Sequence, residues 1–207
     1  HVTVLGYDPR YLAVAIRSPT LTCNLVCFHA PSPTGDETCA NWWDTFAKFL
    51  RRVGTPGIPM VLMGDANGKV GSRPTQEVGD CNPEDEDEGG TEFHKVLHEH
   101  SIWLPSTFSS CWAGGLSATW IPPAGGQGHR IDHMALPANW RRAAVTATNS
   151  SIDILTARID HVPVMVQATF LPEPYAPLLQ RRRKICNVEV EMKYEKRGII
   201  EKEKEKI

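Results

Sequence analysis

The chain has 207 residues, enough for one domain with a real core and rather short for two. Its hydrophobic fraction of 41% and charged fraction of 22% are those of an ordinary globular protein, and no apolar run approaches the ~20 residues that span a bilayer. The formal net charge of −2 hides an asymmetry, because residues 181–207 hold ten basic and six acidic side chains and leave 12 and 18 elsewhere. The body is acidic and advertises no broad nucleic-acid-binding field, although brief contact with phosphates does not need one.

In chain order, residues 11–17 and 21–28 predict strands, each short, apolar and partly alternating, with Ser18-Pro19 between them. A Pro-rich turn follows His29. Trp42, Phe46, Phe49, Leu50 and Val53 then recur at helical spacing, with Arg51 and Arg52 in the last turn and Gly54 just beyond, as a helix C-terminus prefers. Ile58 to Met63 is a continuous apolar run, the pattern of a strand buried on both faces, and it ends in Gly64-Asp65-Ala66-Asn67.

Residues 71–90 are polar, and the acidic run Glu84 to Glu88 reads as a solvated loop. Thr91 to His100 predicts a helix that buries Phe93, Val96 and Leu97. Its His94 and His98 lie at i, i+4, a spacing at which two histidines can share a metal, but they lack the Glu of the zinc-peptidase pattern and are expected on an exposed face. Further strands are expected at 119–121, 130–136 and 161–170, with a Gly-rich turn at 122–129. Many strands with two good helices predict an α+β domain.

After Leu171 the chain changes character. Pro172, Pro174 and Pro177 lead into Arg181-Arg182-Arg183-Lys184 and an alternating Glu-Lys end. The expected boundaries are a domain at 1–171 and a charged tail at 172–207, disordered or loosely helical. The basic cluster has the make-up of a nuclear-import or phosphate-binding patch, and equally of a solubilising stub. The six cysteines form no C-x-x-C pair and read as reduced thiols of an intracellular protein, with a disulfide in a secreted nuclease as the alternative.

Three short motifs can carry chemistry. Asp65 at a strand end and Asn67 two residues on lie on the same side of the chain, so an anionic acceptor stands beside a neutral amide. That pairing suits a water nucleophile and a phosphate oxygen; the same residues are also ordinary turn formers. Asp160-His161 joins an oxygen donor for a hard cation to an imidazole that titrates near neutrality, or it is a surface pair at a strand start. Asp132, in a strand between apolar neighbours, needs a partner, and a histidine whose tautomer it fixes is a natural one. His29 ends a strand, where a lone histidine is commonly structural.

The order strand-His-Ala-Pro, strand-Gly-Asp-x-Asn, Ala118-Thr119-Trp120, Arg130-Ile131-Asp132-His133, then Asp160-His161-Val162-Pro163 resembles the endonuclease/exonuclease/phosphatase superfamily over roughly residues 10–170. The wording around Glu92-Phe93-His94 and Leu104-Pro105-Ser106-Thr107-Phe108 is most similar to the endonuclease domains of non-LTR retrotransposons. The resemblance implies a four-layer α/β/β/α sandwich of the deoxyribonuclease-I-like kind, N-terminally truncated. It implies catalytic roles for His29, Asp65, Asn67, Asp132 and His161, and a metal-binding role for Asp160. Asp65 and Asn67 would position water and phosphate, His161 would act in acid/base catalysis, and Asp132 would orient His161. Mg²⁺, or Mn²⁺, is the implied cofactor. Nucleic acid is the implied substrate, DNA before RNA, with no membrane and no obligate protein partner.

The departures are Arg158-Ile159 where many members have Ser, and His133 where Tyr is common. The family's opening strands, which bear an Asn and the principal metal-binding Glu, are not found in the sequence. On that reading the 207-residue chain alone is expected to show little or no nuclease activity. The competing readings are a non-catalytic, decayed copy or scaffold, and a phosphatase or lipid phosphodiesterase on the same fold.

Overall fold

The computed structural model describes residues 1–32, 39–149 and 160–170. Two sheets are stacked, with two helices on the outer face of the larger. The larger sheet has the order β1-β2-β3-β4-β7-β5, from Val2–Asp8 (β1), Tyr11–Arg17 (β2), Thr22–His29 (β3), Met60–Asp65 (β4), Asp132–Pro137 (β7) and Ile102–Trp103 (β5). The smaller has the order β6-β8-β9, from Trp112–Gly115 (β6), Ala144–Asn149 (β8) and Val164–Thr169 (β9). Helix α1 spans Cys39–Val53 and α2 spans Glu88–Glu99. The chain is therefore α+β. Three of the four layers of the expected α/β/β/α sandwich lie among the described residues.

The continuous apolar run before Asp65 is explained by β4, which is sandwiched on both faces. Leu62 turns to the helices and Val61 to the small sheet. On the helix side, Trp42, Trp43, Phe46 and Leu50 of α1 and Phe93 and Leu97 of α2 close over Val26, Phe28 and Leu62. Phe28 meets Phe46 at 5.1 Å and Phe93 at 5.7 Å between ring centroids, tilted as aromatic pairs prefer. Between the sheets, Val61, Trp103, Leu136 and Val145 form the second core, with Leu25 and Val166 packed against it. The β3–α1–β4 crossover makes β3 and β4 parallel, so both end at the same rim of the sheet.

Several expectations shift. Strand β1 was not anticipated and extends the fold to Val2, because an exposed edge strand has no core face to pattern its sequence. Strands β6 and β8 were also missed; β8 buries a single large apolar residue, Val145, beside Ala147 and Asn149, which gives little apolar signal. The predicted strand at 119–121 is reduced to isolated bridges of Trp120 to His129 and His161.

The acidic run is not a solvated loop. Asp87 caps α2, its carboxylate accepting from Gly90 N at 2.9 Å and Lys69 N at 3.1 Å. Glu84 accepts from Arg130 N at 2.9 Å and pairs with His129 at 3.0 Å. These acids satisfy backbone donors and side chains that the fold buries, which a reading of composition does not reveal. His94 likewise departs from the expected exposed face: its side chain is 15% exposed, whereas that of His98 is 81% exposed. The predicted tail at 172–207 lies outside the described residues, as does Cys186, while the other five cysteines are free thiols.

Candidate active site

The rim where β3 and β4 end and β7 begins gathers the chemistry. Strand register places His29 beside Asp65 and Asp65 beside Asp132, one row across three adjacent strands. Gly64 makes this approach feasible, since a Cβ there would lie 1.8 Å from the Phe28 carbonyl oxygen. His29 Nε2 lies 3.7 Å from Asp65 Oδ2, and the histidine is largely exposed while the aspartate is not.

Past β4 the chain turns through Asn67, whose φ of 45° falls in the left-handed region that asparagine tolerates. Its N–H donates to Asp65 Oδ1 at 2.7 Å, and its side-chain amide donates to the Ala30 carbonyl at 2.8 Å. Asn67 thus stitches the loop after β4 to the loop after β3 and fixes the Asp65 carboxylate.

Asp132 and His161 are brought together by the segment between them. Thr119 is fully buried, and its hydroxyl oxygen accepts from Ile131 N at 3.0 Å and Asp132 N at 2.9 Å. Its carbonyl accepts from Val162 N at 2.6 Å, and Ile121 N donates to the Asp160 carbonyl at 2.8 Å. The strip Thr119–Ile121 therefore aligns 129–132 on one side with 160–162 on the other. His161 Nδ1 ends 2.9 Å from Asp132 Oδ2. Thr119 was named in the sequence only as part of the family phrase; its positioning contact depends on a fold that burial alone reveals.

Electrostatics separate the neighbours. Burial, foremost, and the nearby Asp132 charge raise the Asp65 pKa above the usual carboxylate value, against the Asn67 N–H and the two histidines. His133, one residue beyond Asp132, points to the opposite face of β7 and packs at 5.4 Å from the Phe93 ring. Burial, aided by the Arg130 guanidinium, pushes it down to about 3, against a smaller opposing pull from the Arg130 backbone. A histidine held neutral in the core belongs to packing and not to the site.

Among the described residues, one group of three His, Cys, Asp or Glu brings ligand atoms within 4.8 Å of one another: Asp65, Asp132 and His161. The Asp160 carboxylate is not in that group. Two carboxylates suit a hard divalent cation. A cavity of about 310 Å³ is lined by these three residues with Gly64, Met134 and Pro163. Larger cavities, of about 680 Å³ beyond the end of α1 and about 450 Å³ beside α2, lie away from this cluster. Donor chemistry, not volume, singles out the smaller one.

The family model described as "Endonuclease/Exonuclease/phosphatase family" matches residues 2–162. The endonuclease domain of TRAS1, a telomere-specific non-LTR retrotransposon, is similar at 17% identity and a TM-score of 0.53, over 83% of this chain and 70% of that one. The 3′ phosphatase NExo from Neisseria, bound to a product DNA hairpin, gives 17% identity and a TM-score of 0.56, over 83% and 70%. A mannosyl-6-phosphatase of Bacteroides thetaiotaomicron gives 16% identity and a TM-score of 0.50, over 82% and 65%. No curated protein matches the chain. At these identities the structural likenesses show a shared fold.

Proposed function

The chain belongs to the endonuclease/exonuclease/phosphatase family, and from that premise we propose that it is a divalent-metal-dependent phosphodiesterase domain that cleaves nucleic acid, DNA in preference to RNA, in the manner of a retroelement endonuclease. The supporting observation is the row of His29, Asp65 and Asp132 across three strands, with His161 held 2.9 Å from Asp132. The His29 and retroelement-like phrases of the sequence add the nuclease direction, since the fold itself is shared by diesterases and monoesterases.

Each residue has a role in this reading. Asp132 accepts from His161 Nδ1, fixes its tautomer and steadies its charged form, leaving Nε2 for the phosphate and the departing oxygen. Asp65 orients the attacking water and accepts its proton. Asn67 holds Asp65 through its backbone N–H and shapes the loop that meets the phosphate. His29, exposed at the rim, contacts the phosphate from the other side. Water attacks phosphorus and gives its proton to Asp65, the bond to the 3′ oxygen breaks, and His161 donates its Nε2 proton to that oxygen, which leaves as the 3′-hydroxyl. Asp65 and Asp132 are the carboxylates placed to hold a divalent cation, Mg²⁺ or Mn²⁺, with Asp160 added by the family pattern. Such a cation supplies positive charge to the phosphate oxygens. The catalytic domain in this reading is 1–171, with 172–207 a separate charged tail.

The test is nicking of supercoiled plasmid by the protein that carries this chain, in Mg²⁺ and with chelator, alongside a phosphomonoester. Nicking that needs the cation and falls at least about a hundredfold in His161→Ala supports the reading. Hydrolysis of the monoester alone assigns a phosphatase instead, and no hydrolysis of either assigns a non-catalytic scaffold.

A further inference from the structure

Helix α2 carries a pair of histidines that lies outside the carboxylate cluster described above. His94 and His98 are four residues apart, so their rings rise from the same helix face one turn apart. Each ring has one nitrogen against a carboxylate: His94 Nδ1 lies 3.3 Å from Glu86 Oε2, and His98 Nδ1 lies 3.1 Å from Glu77 Oε1. Both glutamates are well sheltered, at 16% and 12% exposure, so they are fixed supports and not passing surface contacts. Together these groups line the cavity of about 450 Å³ with Arg73, Thr75, Lys95 and Glu99.

Thr75 links the two pairs, since its hydroxyl meets both His94 and Glu77. Thr75 Oγ1 already accepts from Glu77 N at 3.1 Å and Val78 N at 3.2 Å. Thr75 Oγ1 also lies 2.9 Å from His94 Nε2, and its hydroxyl is shared with the Glu77 carboxylate. In the tautomer with the proton on Nδ1, His94 donates to Glu86 and leaves Nε2 as the lone pair. This is the arrangement in which metal-bound histidines are found: one nitrogen donates to a carboxylate, and the other offers its lone pair. His98 has the same support from Glu77, with the rest of its ring open to solvent.

We propose that His94 and His98 form a binding site for a borderline transition-metal ion such as Zn²⁺, Ni²⁺ or Cu²⁺, oriented by Glu86 and Glu77 and completed by water. The ion is held by one ring nitrogen of each histidine. Imidazole selects these metals over Mg²⁺, which prefers oxygen, so the site is chemically separate from the carboxylate cluster.

The test is a calorimetric titration of metal-free protein with Zn²⁺, in an Asp65→Asn/His161→Ala background that silences the other cluster. One equivalent is expected to bind. His94→Ala and His98→Ala should each weaken it at least tenfold, and Glu77→Gln by about tenfold through loss of the supporting carboxylate. With Cu²⁺, paramagnetic resonance should show two coordinated nitrogens, falling to one in His98→Ala. His98 is exposed, so that variant keeps the fold, as its circular dichroism will show. Absence of Zn²⁺ binding, or binding that both histidine variants leave unchanged, overturns the proposal.

Discussion

Replacing Thr119 by valine isolates the contact on which the Asp132–His161 pair depends. The side chain is fully buried and of the same shape as valine, so packing is kept while the hydroxyl oxygen is lost. Two backbone donors, Ile131 N at 3.0 Å and Asp132 N at 2.9 Å, then have no acceptor. A buried donor left without a partner costs about 1–3 kcal/mol. Ile131 is 9% exposed and Asp132 is half-buried, so water reaches the second donor more easily than the first. The combined loss is therefore about 2–4 kcal/mol, toward the lower half of the doubled range. For a chain of this size that lowers Tm by about 5–15 °C.

Thr119→Ser is the control, since it keeps the acceptor and removes only a methyl group, at a cost of about 1 kcal/mol. Thermal unfolding followed by circular dichroism measures both variants. Valine should be the more destabilising, and under the proposed function it should also nick plasmid more slowly than serine. A serine variant less stable than the valine one, or a valine variant within about 0.5 kcal/mol of the parent, would refute the reasoning.

Other perturbations test the electrostatics and the close approach of strands. The Asp65 pKa is raised in the folded state, so the stability linked to its protonated form is fully present below the ordinary value of about 3.9 and is lost as pH rises through the folded value. Asp65→Asn is thus expected to raise Tm at pH 7 and to match the parent near pH 3, and a gain that persists at low pH would contradict this. His133 has the opposite sign: with its pKa pushed down to about 3, its contribution is intact above about 6.5 and lost as pH falls toward 3. His133→Phe, packing against Phe93, should therefore flatten the decline in Tm between those pH values. Gly64→Ala would place a Cβ 1.8 Å from the Phe28 oxygen and should cost about 3 kcal/mol or more, read as a lower urea midpoint or insoluble protein.

The parts of the fold that could be read early were those with strong one-dimensional patterns. The aromatic stripe of α1 and the unbroken apolar run into Asp65 each report a local period that burial enforces. Strands β1 and β8 escaped because one is an exposed edge and the other buries only one valine beside alanine and asparagine. The acidic segment escaped for a different reason. Glu84 and Asp87 spend their charge on Arg130 N, His129 and helix N–H groups up to 46 residues away in sequence, and composition carries no sign of those partners.

The same division holds at the site. By itself the sequence determined the family, the strands that end in Asp65 and begin near Asp132, and the identity of the titratable groups, because these rest on local pattern and motif order. Tertiary structure alone decided that His29, Asp65 and Asp132 share one row, and that Thr119 and His161 close on Asp132 from outside the sheet. It also sent His133 into the core and left the Asp160 carboxylate outside the 4.8 Å cluster. Strand register and burial are sums over contacts distant in sequence. A one-residue step along a strand reverses the face a side chain meets, so adjacent Asp132 and His133 acquire opposite fates.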